Sequence, residues 1–424
     1  MTLVAVLTTT PALYDARVLR TAETLGEAFG ESIVVAGAQP GLPPYEWRNG
    51  VEIIRIPMDR PLAGAGGAPL RALGAVRFAH RDLARLLESR FFMENAVHAL
   101  AGRAIRSVHA MNLSTLSAAA ALGERSEQGF VYDPAELELF RNARYFFALR
   151  RQRAQEERRY IYFARSVLAP SPGCADVLAR LYGIPRPAVV FNVPKRSPEA
   201  PLCEDSLPLR VRLGLHEDRP LAAYVGFAGP GRGLESILAA LARPPARDIA
   251  FALLGTSHPD VERAVVARID SLGLKDRVYR LPAVPPESVV PALSGVEMTV
   301  IAMQDTCLSY RYALPNKLFQ SIWAGVPAIV PQLEGFKAFA AESGCVLLVD
   351  TEDSDALAGA MRRLCDPAER ERLAAPMQLT RDTYAWPVQA KTLVRAHCMR
   401  ESAGAAAQEG GEMAKYITSY ARES

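Results

Sequence analysis

Short apolar runs alternate with amphipathic segments along nearly the whole chain of 424 residues. Runs rich in Val, Ile and Leu are typical of buried strands, whereas a 3.6-residue apolar period is typical of helices. Helices are predicted at 16–29 and 173–183. The predicted strands of the first half are 3–9, 31–37, 51–57, 107–111, 129–133, 166–171 and 188–194. Strand–helix–strand alternation predicts a parallel sheet covered on both faces.

The alternation is interrupted once and then begins again. Residues 195–210 are rich in proline and charge and have no period, so we interpret them as a linker. The second half has predicted strands at 220–227, 248–255, 277–284, 297–303, 327–331 and 345–350, and predicted helices at 233–242, 261–273, 286–295 and 317–325. The chain is therefore predicted to be α/β, with two Rossmann-like doubly wound domains facing a central cleft. Ligands would bind where the carboxyl ends of the sheets face that cleft.

The composition excludes several classes of protein. A net charge of +3 is too small for this length to favour nucleic acid or an anionic membrane surface. No apolar run reaches the roughly 18 residues of a membrane span, and the run at 3–9 lacks the basic flank of a signal peptide. The cysteines are Cys174, Cys203, Cys307, Cys345, Cys365 and Cys398. They form no CxxC pair, so we expect reduced thiols and a cytoplasmic protein.

Residues 141–165, RNARYFFALRRQRAQEERRYIYFAR, form a basic and aromatic segment. Such a segment could contact membrane lipid or an acidic acceptor. We favour a long solvated helix with one buried face.

The stretch 313–331, ALPNKLFQSIWAGVPAIVP, predicts a helix that starts at the carboxyl edge of the second sheet. Free N–H groups and the positive end of the helix dipole suit phosphate oxygens there. Pro315 fixes the backbone and Asn316 is a favoured N-cap. Lys317 adds a mobile positive charge, and Gln320 lies one turn later, within reach of a ribose hydroxyl. The alternative is an ordinary capped helix with a solvated lysine.

A second loop suited to an anion follows the strand at 220–227 and reads GFAGPGRGLESI. The glycines, among them Gly229 and Gly231, allow backbone N–H groups to approach an anion, and Arg232 can bind phosphate in a bidentate way. The loop alone is a weak signal because it lacks the GxGxxG spacing. Two such helix starts on one sheet predict a diphosphate site.

The C-terminal half resembles the nucleotide-sugar domain of GT-B glycosyltransferases, of the retaining family 4 type. The resemblance lies in VGFAGPGRGLESILAAL (225–241), FALLG (251–255), RVYRLPAVPPESVVPAL (277–293) and ALPNKLFQSIWAGVPAIV (313–330). The N-terminal half resembles the same family through DARVLRTAETL (15–25), SVHAMNLSTLSAAAAL (107–122) and VYDPAEL (131–137). The resemblance implies an acceptor-side domain over 1–195 with the tail 400–424 packed back on it, a nucleotide-sugar domain over 205–385, and a crossover helix over 386–399.

The resemblance also implies roles for particular residues. Arg232 and Lys317 would hold the donor diphosphate, and they are candidate catalytic residues together with His109 and Asp133. The candidate donor site comprises Gly229, Gly231, Arg232, Leu314, Pro315, Asn316, Lys317, Leu318 and Gln320. The base would lie against Gly255, Pro282, Ala283 and Val284. The candidate acceptor-side residues are Thr10, Asp15, Met111, Asn112 and Glu136.

The sequence departs from the family pattern at several of these positions. The family has an acid where Gln320 stands, often another where Tyr312 stands, and commonly an arginine where Phe227 stands. Its usual His-x-His-Asp is His109-Ala110-Met111-Asn112 here, and its usual Asp-x-His-Glu is Asp133-Pro134-Ala135-Glu136. The glutamine keeps an acceptor oxygen for a ribose. The missing histidines remove candidate bases for the acceptor.

The expected activity is transfer of a sugar from a nucleoside diphosphate to a small acceptor, with retention. We expect no metal and no cofactor, because the two cations and the helix start can do a cation's work. The expected partners are the nucleotide sugar and the acceptor, without nucleic acid or a transmembrane segment and with a homodimer left open. The Asp353-Ser354-Asp355 motif is interpreted as a helix cap rather than a metal site.

Two questions about function stay open from the sequence. The missing bases raise the hypothesis that the acceptor is a sulfur nucleophile or another group that ionises easily, as in S-glycosyltransferases of thiosugar antibiotic biosynthesis, because a thiolate needs no base, although the sequence favours the ordinary hydroxyl acceptor. The alternative is a hydroxyl acceptor with His109, Asp133 or the donor phosphate as base. The other functions considered are a catalytically silent GT-B partner subunit and a nucleotide-sugar epimerase or hydrolase.

Overall fold

Two sheets, one in each half of the chain, organise the fold. The computed structural model describes residues 2–59, 79–142, 147–195 and 204–398. Contacts divide the chain into one unit of Met1–Val190 with the residues from Ala390 onward, and a second unit of Phe191–Gln389. The predicted placement of the tail 400–424 lies outside the described residues, and the central cleft stays a prediction.

The first unit has an eight-stranded sheet of order β3-β4-β2-β1-β5-β6-β7-β8. Its strands are β1 (Leu3–Leu7), β2 (Ser32–Gly37), β3 (Tyr45–Arg48), β4 (Val51–Ile56), β5 (Ile105–Met111), β6 (Phe130–Asp133), β7 (Ser166–Ala169) and β8 (Ala188–Val189). Its helices are α1 (Ala16–Phe29), α2 (Ala79–Ala99), α3 (Leu116–Gly123), α4 (Phe147–Tyr160) and α5 (Pro172–Tyr182). Every residue of β1 and β2 is buried, as expected for a sheet covered on both faces.

The edge strand β3 was not predicted from the sequence. It is antiparallel to β4, and a tight turn at Asn49 and Gly50 joins the two strands. Both turn residues have positive φ, 51° and 78°. An Asn-Gly pair is the strongest short signal for such a hairpin, so the sequence did contain the information.

The second unit has a six-stranded, fully parallel sheet of order β11-β10-β9-β12-β13-β14. Its strands are β9 (Leu221–Val225), β10 (Ala250–Leu254), β11 (Val278–Leu281), β12 (Met298–Val300), β13 (Ala328–Pro331) and β14 (Val346–Val349). The helices from this unit onward are α6 (Leu209–Arg212), α7 (Leu234–Leu241), α8 (Pro259–Ser271), α9 (Pro286–Ala292), α10 (Leu308–Tyr312), α11 (Asn316–Ala324), α12 (Glu334–Ser343), α13 (Ser354–Cys365), α14 (Pro367–Tyr384) and α15 (Trp386–Cys398). The strand order reverses between β9 and β12, which is the switch point where such sheets bind ligands.

The predicted strands and helices quoted above are all present, and most of the strands are shorter than predicted. The predicted linker is wrong from Glu204 onward, because a 3-10 turn at Glu204–Ser206 and α6 follow there, with Leu209 fully buried. Residues 196–203 of that linker lie outside the described part. Asp353 caps α13 by accepting hydrogen bonds from the N–H groups of Asp355 and Ala356, so the cap interpretation is confirmed.

The basic segment 141–165 forms α4 and a 3-10 turn at Ile161–Phe163. One face of α4 is buried through Arg153, Ala154 and Glu157, which confirms the predicted buried face for the described part. Five of the six cysteines lie in described residues and are free thiols. Among the described residues, no helix combines the length and apolar character needed to cross a bilayer.

Candidate functional site

The candidate donor site lies at the switch point of the second sheet, where loops leave β9 and β12. The loop after β9 runs through Gly226 and Gly229 to Gly233, where α7 begins. The loop after β12 leads through α10 to the start of α11. The N–H of Gln304 donates to the carbonyl oxygen of Gly231 over 3.0 Å, so the two loops are in direct contact.

Gly233 explains how closely these loops pack. Its φ is +72°, and a Cβ atom added there would lie 1.8 Å from the carbonyl oxygen of Ala302. Gly255, which ends β10, is equally restricted, since an added Cβ would lie 2.2 Å from the carbonyl oxygen of Gly226. Glycine is therefore required at both positions for the backbones to approach.

Lys317 is buried at the start of α11, and only 7% of it is exposed. Its Nζ lies 3.7 Å from the centroid of the Tyr224 ring on β9. It lies also 3.8 Å from the place where a Cβ of Gly226 would be. No carboxylate among the described residues lies within salt-bridge distance. Burial, and then the charge of Arg232, hold the pKa of Lys317 well below its usual value of 10.5.

Arg232 lies near enough to Lys317 for its charge to act on that lysine. Its guanidinium carbon lies 4.4 Å from the centroid of the Tyr310 ring, and its Nη1 donates to the thioether of Met303 over 3.5 Å. Its Nε is buried without a hydrogen-bond partner. No carboxylate in the described ranges pairs with this guanidinium either. A polar group buried without a partner is costly, so both cations are suited to an anionic ligand.

The structure corrects the cap predicted at Asn316 and places the other predicted donor residues, whose binding roles stay predictions. Asn316 is not the N-cap: Pro315 occupies that position without a side-chain cap, and Asn316 is the exposed first residue of α11. Leu318 is fully buried in the core, and its N–H donates to the carbonyl oxygen of Pro315. Gln320 is only 8% exposed. Leu314 is also buried, while Gly229 and Gly231 lie in the loop as predicted.

The predicted base-binding residues follow β10 and β11 at the same edge of the sheet. Pro282 is exposed, Ala283 is half-buried, and Val284 belongs to the hydrophobic core. The side chain of Val284 therefore packs inward. The role of these residues in binding a base stays a prediction.

The predicted catalytic residues of the first unit form a buried hydrogen-bonded network. Arg17 binds both oxygens of Asp133, at 2.9 and 2.6 Å, and donates to the carbonyl oxygen of Val190. His109 Nε2 lies 3.2 Å from Asp133 Oδ2, and His109 Nδ1 lies 3.1 Å from Nε2 of His397 on α15. Neither His109 nor Asp133 has any exposed surface, so the expectation that they face a ligand is not met.

The charges of this network are strongly perturbed. Desolvation opposes ionisation of Asp133, but the charge of Arg17 and the bond to His109 lower the pKa of this carboxyl far below 3.8. The ionised Asp133 accepts a hydrogen bond from Nε2 of His109. His397 extends the network, since its Nδ1 lies 2.8 Å from the hydroxyl oxygen of Ser107, and the tautomers of the two rings set which atoms donate.

The predicted acceptor-side residues lie at the ends of β1, β5 and β6. Thr10 donates to Asp15, which caps α1, and Met111 is buried. Asn112 has a positive φ of 70° and accepts from the N–H of Ala135. Glu136 lies 3.4 Å from Arg141. Thr10, Asp15, Asn112 and Glu136 are all half-buried, so they are more accessible than the His109–Asp133 pair.

Sequence reasoning missed several residues of these sites, among them Arg17, Tyr224, Tyr310 and His397. Tyr224 and Tyr310 lie under the two cations, and no local pattern distinguishes them from other core tyrosines. His397 lies 288 positions from its partner His109 in the chain. No local pattern in the sequence connects residues so far apart.

Comparisons with known proteins agree with this geometry. Residues 219–366 match the family model described as glycosyl transferases group 1. The D-inositol 3-phosphate glycosyltransferase of Acidothermus cellulolyticus is 27% identical over 178 residues, which cover 40% of this chain and 38% of that protein. The D-inositol 3-phosphate glycosyltransferase of Nocardia farcinica is 24% identical over 223 residues, which cover 51% of this chain and 48% of that protein. The chain thus spans less than half the length of these curated relatives.

Solved structures resemble the chain over nearly its whole length. The sucrose-phosphate synthase of Thermosynechococcus elongatus has a TM-score of 0.73 and 19% identity, and the match covers 94% of this chain and 98% of that one. Anabaena HepE in complex with UDP-glucose has a TM-score of 0.64 and 14% identity, covering 93% and 99%. At these identities the likeness concerns the fold. The chain therefore has the two-domain α/β fold of GT-B glycosyltransferases, and its second unit contains a segment similar to glycosyl transferases group 1.

Proposed function

We propose that the protein is a glycosyltransferase that takes a sugar from a nucleoside diphosphate donor. The observation that carries the proposal is a pair of cations, the buried Lys317 and the half-buried Arg232, which have no carboxylate partner among the described residues. A diphosphate would supply the missing negative charge at the switch point of the sheet. The structural neighbour crystallised with UDP-glucose has the same fold, which supports a nucleotide sugar as the ligand.

The proposed reaction is transfer to a small acceptor, with retention at the anomeric carbon. Lys317 and Arg232 would stabilise the negative charge that develops on the departing diphosphate, which is where preorganised cations contribute most. We infer that the reaction needs no metal, because these cations supply the positive charge. Turnover in the presence of EDTA should equal turnover without it, and a loss restored by Mg²⁺ or Mn²⁺ would overturn this inference.

The test of the proposed activity is donor turnover. The protein is incubated with UDP-, GDP-, ADP- and dTDP-sugars, with and without a panel of acceptors, and release of the diphosphate and the new glycoside are both measured. Transfer that depends on an acceptor supports a glycosyltransferase. Epimerised donor without transfer would indicate an epimerase, and binding without any turnover would indicate a silent partner subunit. The comparisons give no support to those two alternatives.

The acceptor is proposed to be a sulfur nucleophile or another group that ionises easily. Both oxygens of Asp133 and both ring nitrogens of His109 are engaged inside the first unit. Neither residue therefore offers an accessible atom as base for an alcohol. A thiolate is already nucleophilic near neutral pH, so it needs no base. A place in natural-product biosynthesis, where such acceptors occur, and a cytoplasmic location belong to the same proposal.

A panel of thiols and matched alcohols tests the acceptor. Faster turnover with thiols, and a rate that rises with the fraction of thiolate, supports the sulfur nucleophile. Turnover confined to alcohols, and abolished by His109→Ala or Asp133→Asn in variants that still melt as the parent does, would overturn it.

A further inference from the structure

The two cations of the donor site lie on aromatic rings instead of carboxylates. Lys317 Nζ is 3.7 Å from the centroid of Tyr224, and the guanidinium carbon of Arg232 is 4.4 Å from the centroid of Tyr310. Both distances are within the roughly 6 Å at which the negative face of a ring attracts a cation. Each cation therefore has its own ring.

Both rings are held firmly in place. Tyr224 is 1% exposed on the central strand β9, and its hydroxyl donates to the carbonyl oxygen of Phe227 over 2.9 Å. Tyr310 is 7% exposed on α10, whose first residue Leu308 is also buried. Rings fixed by the sheet and by a neighbouring helix can fix the position of what lies on them.

A ring face and a carboxylate would affect this site differently. A carboxylate would accept hydrogen bonds from the cation, neutralise its charge and compete with an incoming phosphate. A ring face attracts the cation through its quadrupole and carries no net charge, so the N–H groups remain available. Burial, and then repulsion by Arg232, disfavours the charged form of Lys317, and a ring face opposes both effects.

We propose that Tyr224 and Tyr310 are positioning residues of the anion site, which stabilise Lys317 and Arg232 in their charged forms and leave the N–H groups of both for a diphosphate. The inference rests on the proposed function, since the ligand is the same. It adds that uncharged aromatic rings support the cations at this site, where a carboxylate would compete with the ligand. The two tyrosines touch the cations and act through them.

The test measures affinity for two probes, inorganic pyrophosphate and UDP, by calorimetry at fixed salt. Replacing either ring, in Tyr224→Leu or Tyr310→Leu, should weaken binding by about 5- to 30-fold, which corresponds to the 1–2 kcal/mol of a desolvated cation–π contact. The corresponding Phe variants keep the ring and should recover most of the affinity. The matched control is Tyr279→Leu, which removes a ring from β11 outside the site and should bind as the parent does.

Fluorinated phenylalanines at 224 keep the proposal testable if a leucine variant fails to fold. Stepwise fluorination weakens the ring quadrupole at nearly constant size, so affinity should fall with each added fluorine. Equal affinity across the series, or leucine variants that bind like the phenylalanine variants, would overturn the role of the rings.

The pH dependence of the affinity distinguishes a positioning role from a purely structural one, because a purely structural role would leave it unchanged. Binding requires a charged Lys317, so affinity should fall as the pH rises through the lowered pKa of this lysine. Loss of the ring favours the neutral amine, so in Tyr224→Leu the fall should begin about one pH unit lower. An unchanged pH at which the affinity begins to fall would contradict the proposal.

The variants also separate this inference from the proposed function. If Lys317→Ala binds both probes as the parent does, the proposed function fails. If only the tyrosine variants bind as the parent does, this inference alone fails.

Discussion

Two residues of the second unit, Lys317 and Arg232, explain how the proposed donor would bind. Lys317 is a buried cation, and Arg232 is a half-buried one whose Nε is buried without a hydrogen-bond partner. Each lies on an aromatic ring, Arg232 also donates to a thioether, and the charge of Arg232 disfavours the charged lysine. Such an arrangement costs folding free energy, because buried charges without counter-charges lose their hydration. A cost of this kind at a switch point is typical of a site that a ligand completes.

Replacing Lys317 by alanine should separate function from folding. We expect turnover to fall by about 100-fold or more, by analogy with the loss of one preorganised donor to a developing anion. The melting temperature should not fall, because the change removes a buried charge that no carboxylate compensates. The matched control is Lys337→Ala, since that lysine is exposed and paired with Glu334. Parent-like turnover in Lys317→Ala would contradict the assignment of the diphosphate site.

Replacing Arg232 by lysine should also weaken the donor site, although the charge is kept. A lysine offers a point charge in place of the bidentate fork, and it does not stack on Tyr310 in the same way. We expect the dissociation constant for UDP or pyrophosphate to rise at least about 5-fold, equivalent to ~1 kcal/mol. Arg243→Lys is the control, because that arginine is exposed and bonds to Ser354. Equal affinity of parent and variant would show that the fork is not used.

The sequence predicted some of these residues and not others, for physical reasons. Lys317 and Arg232 were identified because short-range patterns, a helix start and a glycine loop, place them. The cap assigned to Asn316 was wrong because Pro315, one residue earlier, already fulfils the geometry of the helix start. The rings beneath the cations come from distant parts of the chain, so only the folded sheet brings them there.

At the scale of elements, the glycine loop after β9 shows how close contact between backbones shapes the site. Gly233 starts α7 and lies against Ala302, the second residue after β12. That contact brings the loop with Arg232 against the loop that leads to α11. The strand pattern predicted both loops, while the contact depends on the parallel pairing of β9 with β12.

Gly233→Ala should therefore destabilise the second unit more than an ordinary glycine replacement. The control is Gly273→Ala, which has a similar φ of +64° but no atom within 4 Å of an added Cβ. Both variants carry the cost of a left-handed residue, about 1 kcal/mol. The clash with Ala302 should add about 1–3 kcal/mol in the free energy of unfolding measured with urea. Equal losses in the two variants would show that the loop moves away without cost.

At the scale of the whole molecule, the last described helix belongs partly to each half of the chain. α15 begins in the second unit, and its residues from Ala390 onward belong to the first. His397 is fully buried in the first unit, bonded to His109 and to Ser107. The alternating strands predicted both sheets, but a contact between residues so far apart in sequence has no local signal.

The buried histidine makes the first unit sensitive to acid. Burial, followed by the charge of His109, lowers the pKa of His397 well below 6.5, while Asp133, Arg106 and Arg165 also act on it. As the pH falls below 6.5, the unfolded chain binds a proton that the folded chain does not, so stability is lost. We expect His397→Gln to reduce this dependence, by up to about 1.4 kcal/mol per pH unit in the free energy of unfolding. Identical pH dependence in parent and variant would exclude His397 as its source.

We propose that the second unit binds a nucleoside diphosphate through Lys317 and Arg232. The most direct measurement is calorimetric titration of the parent and of Lys317→Ala with UDP, GDP, ADP and dTDP. The change in the free energy of unfolding that each diphosphate causes is then measured for both proteins. At least one diphosphate should bind the parent at a single site, and at 100 times its dissociation constant it should stabilise the fold by about 2.7 kcal/mol. The variant should bind that diphosphate much more weakly. No binding by any of the four, or equal binding by parent and variant, would contradict the claim.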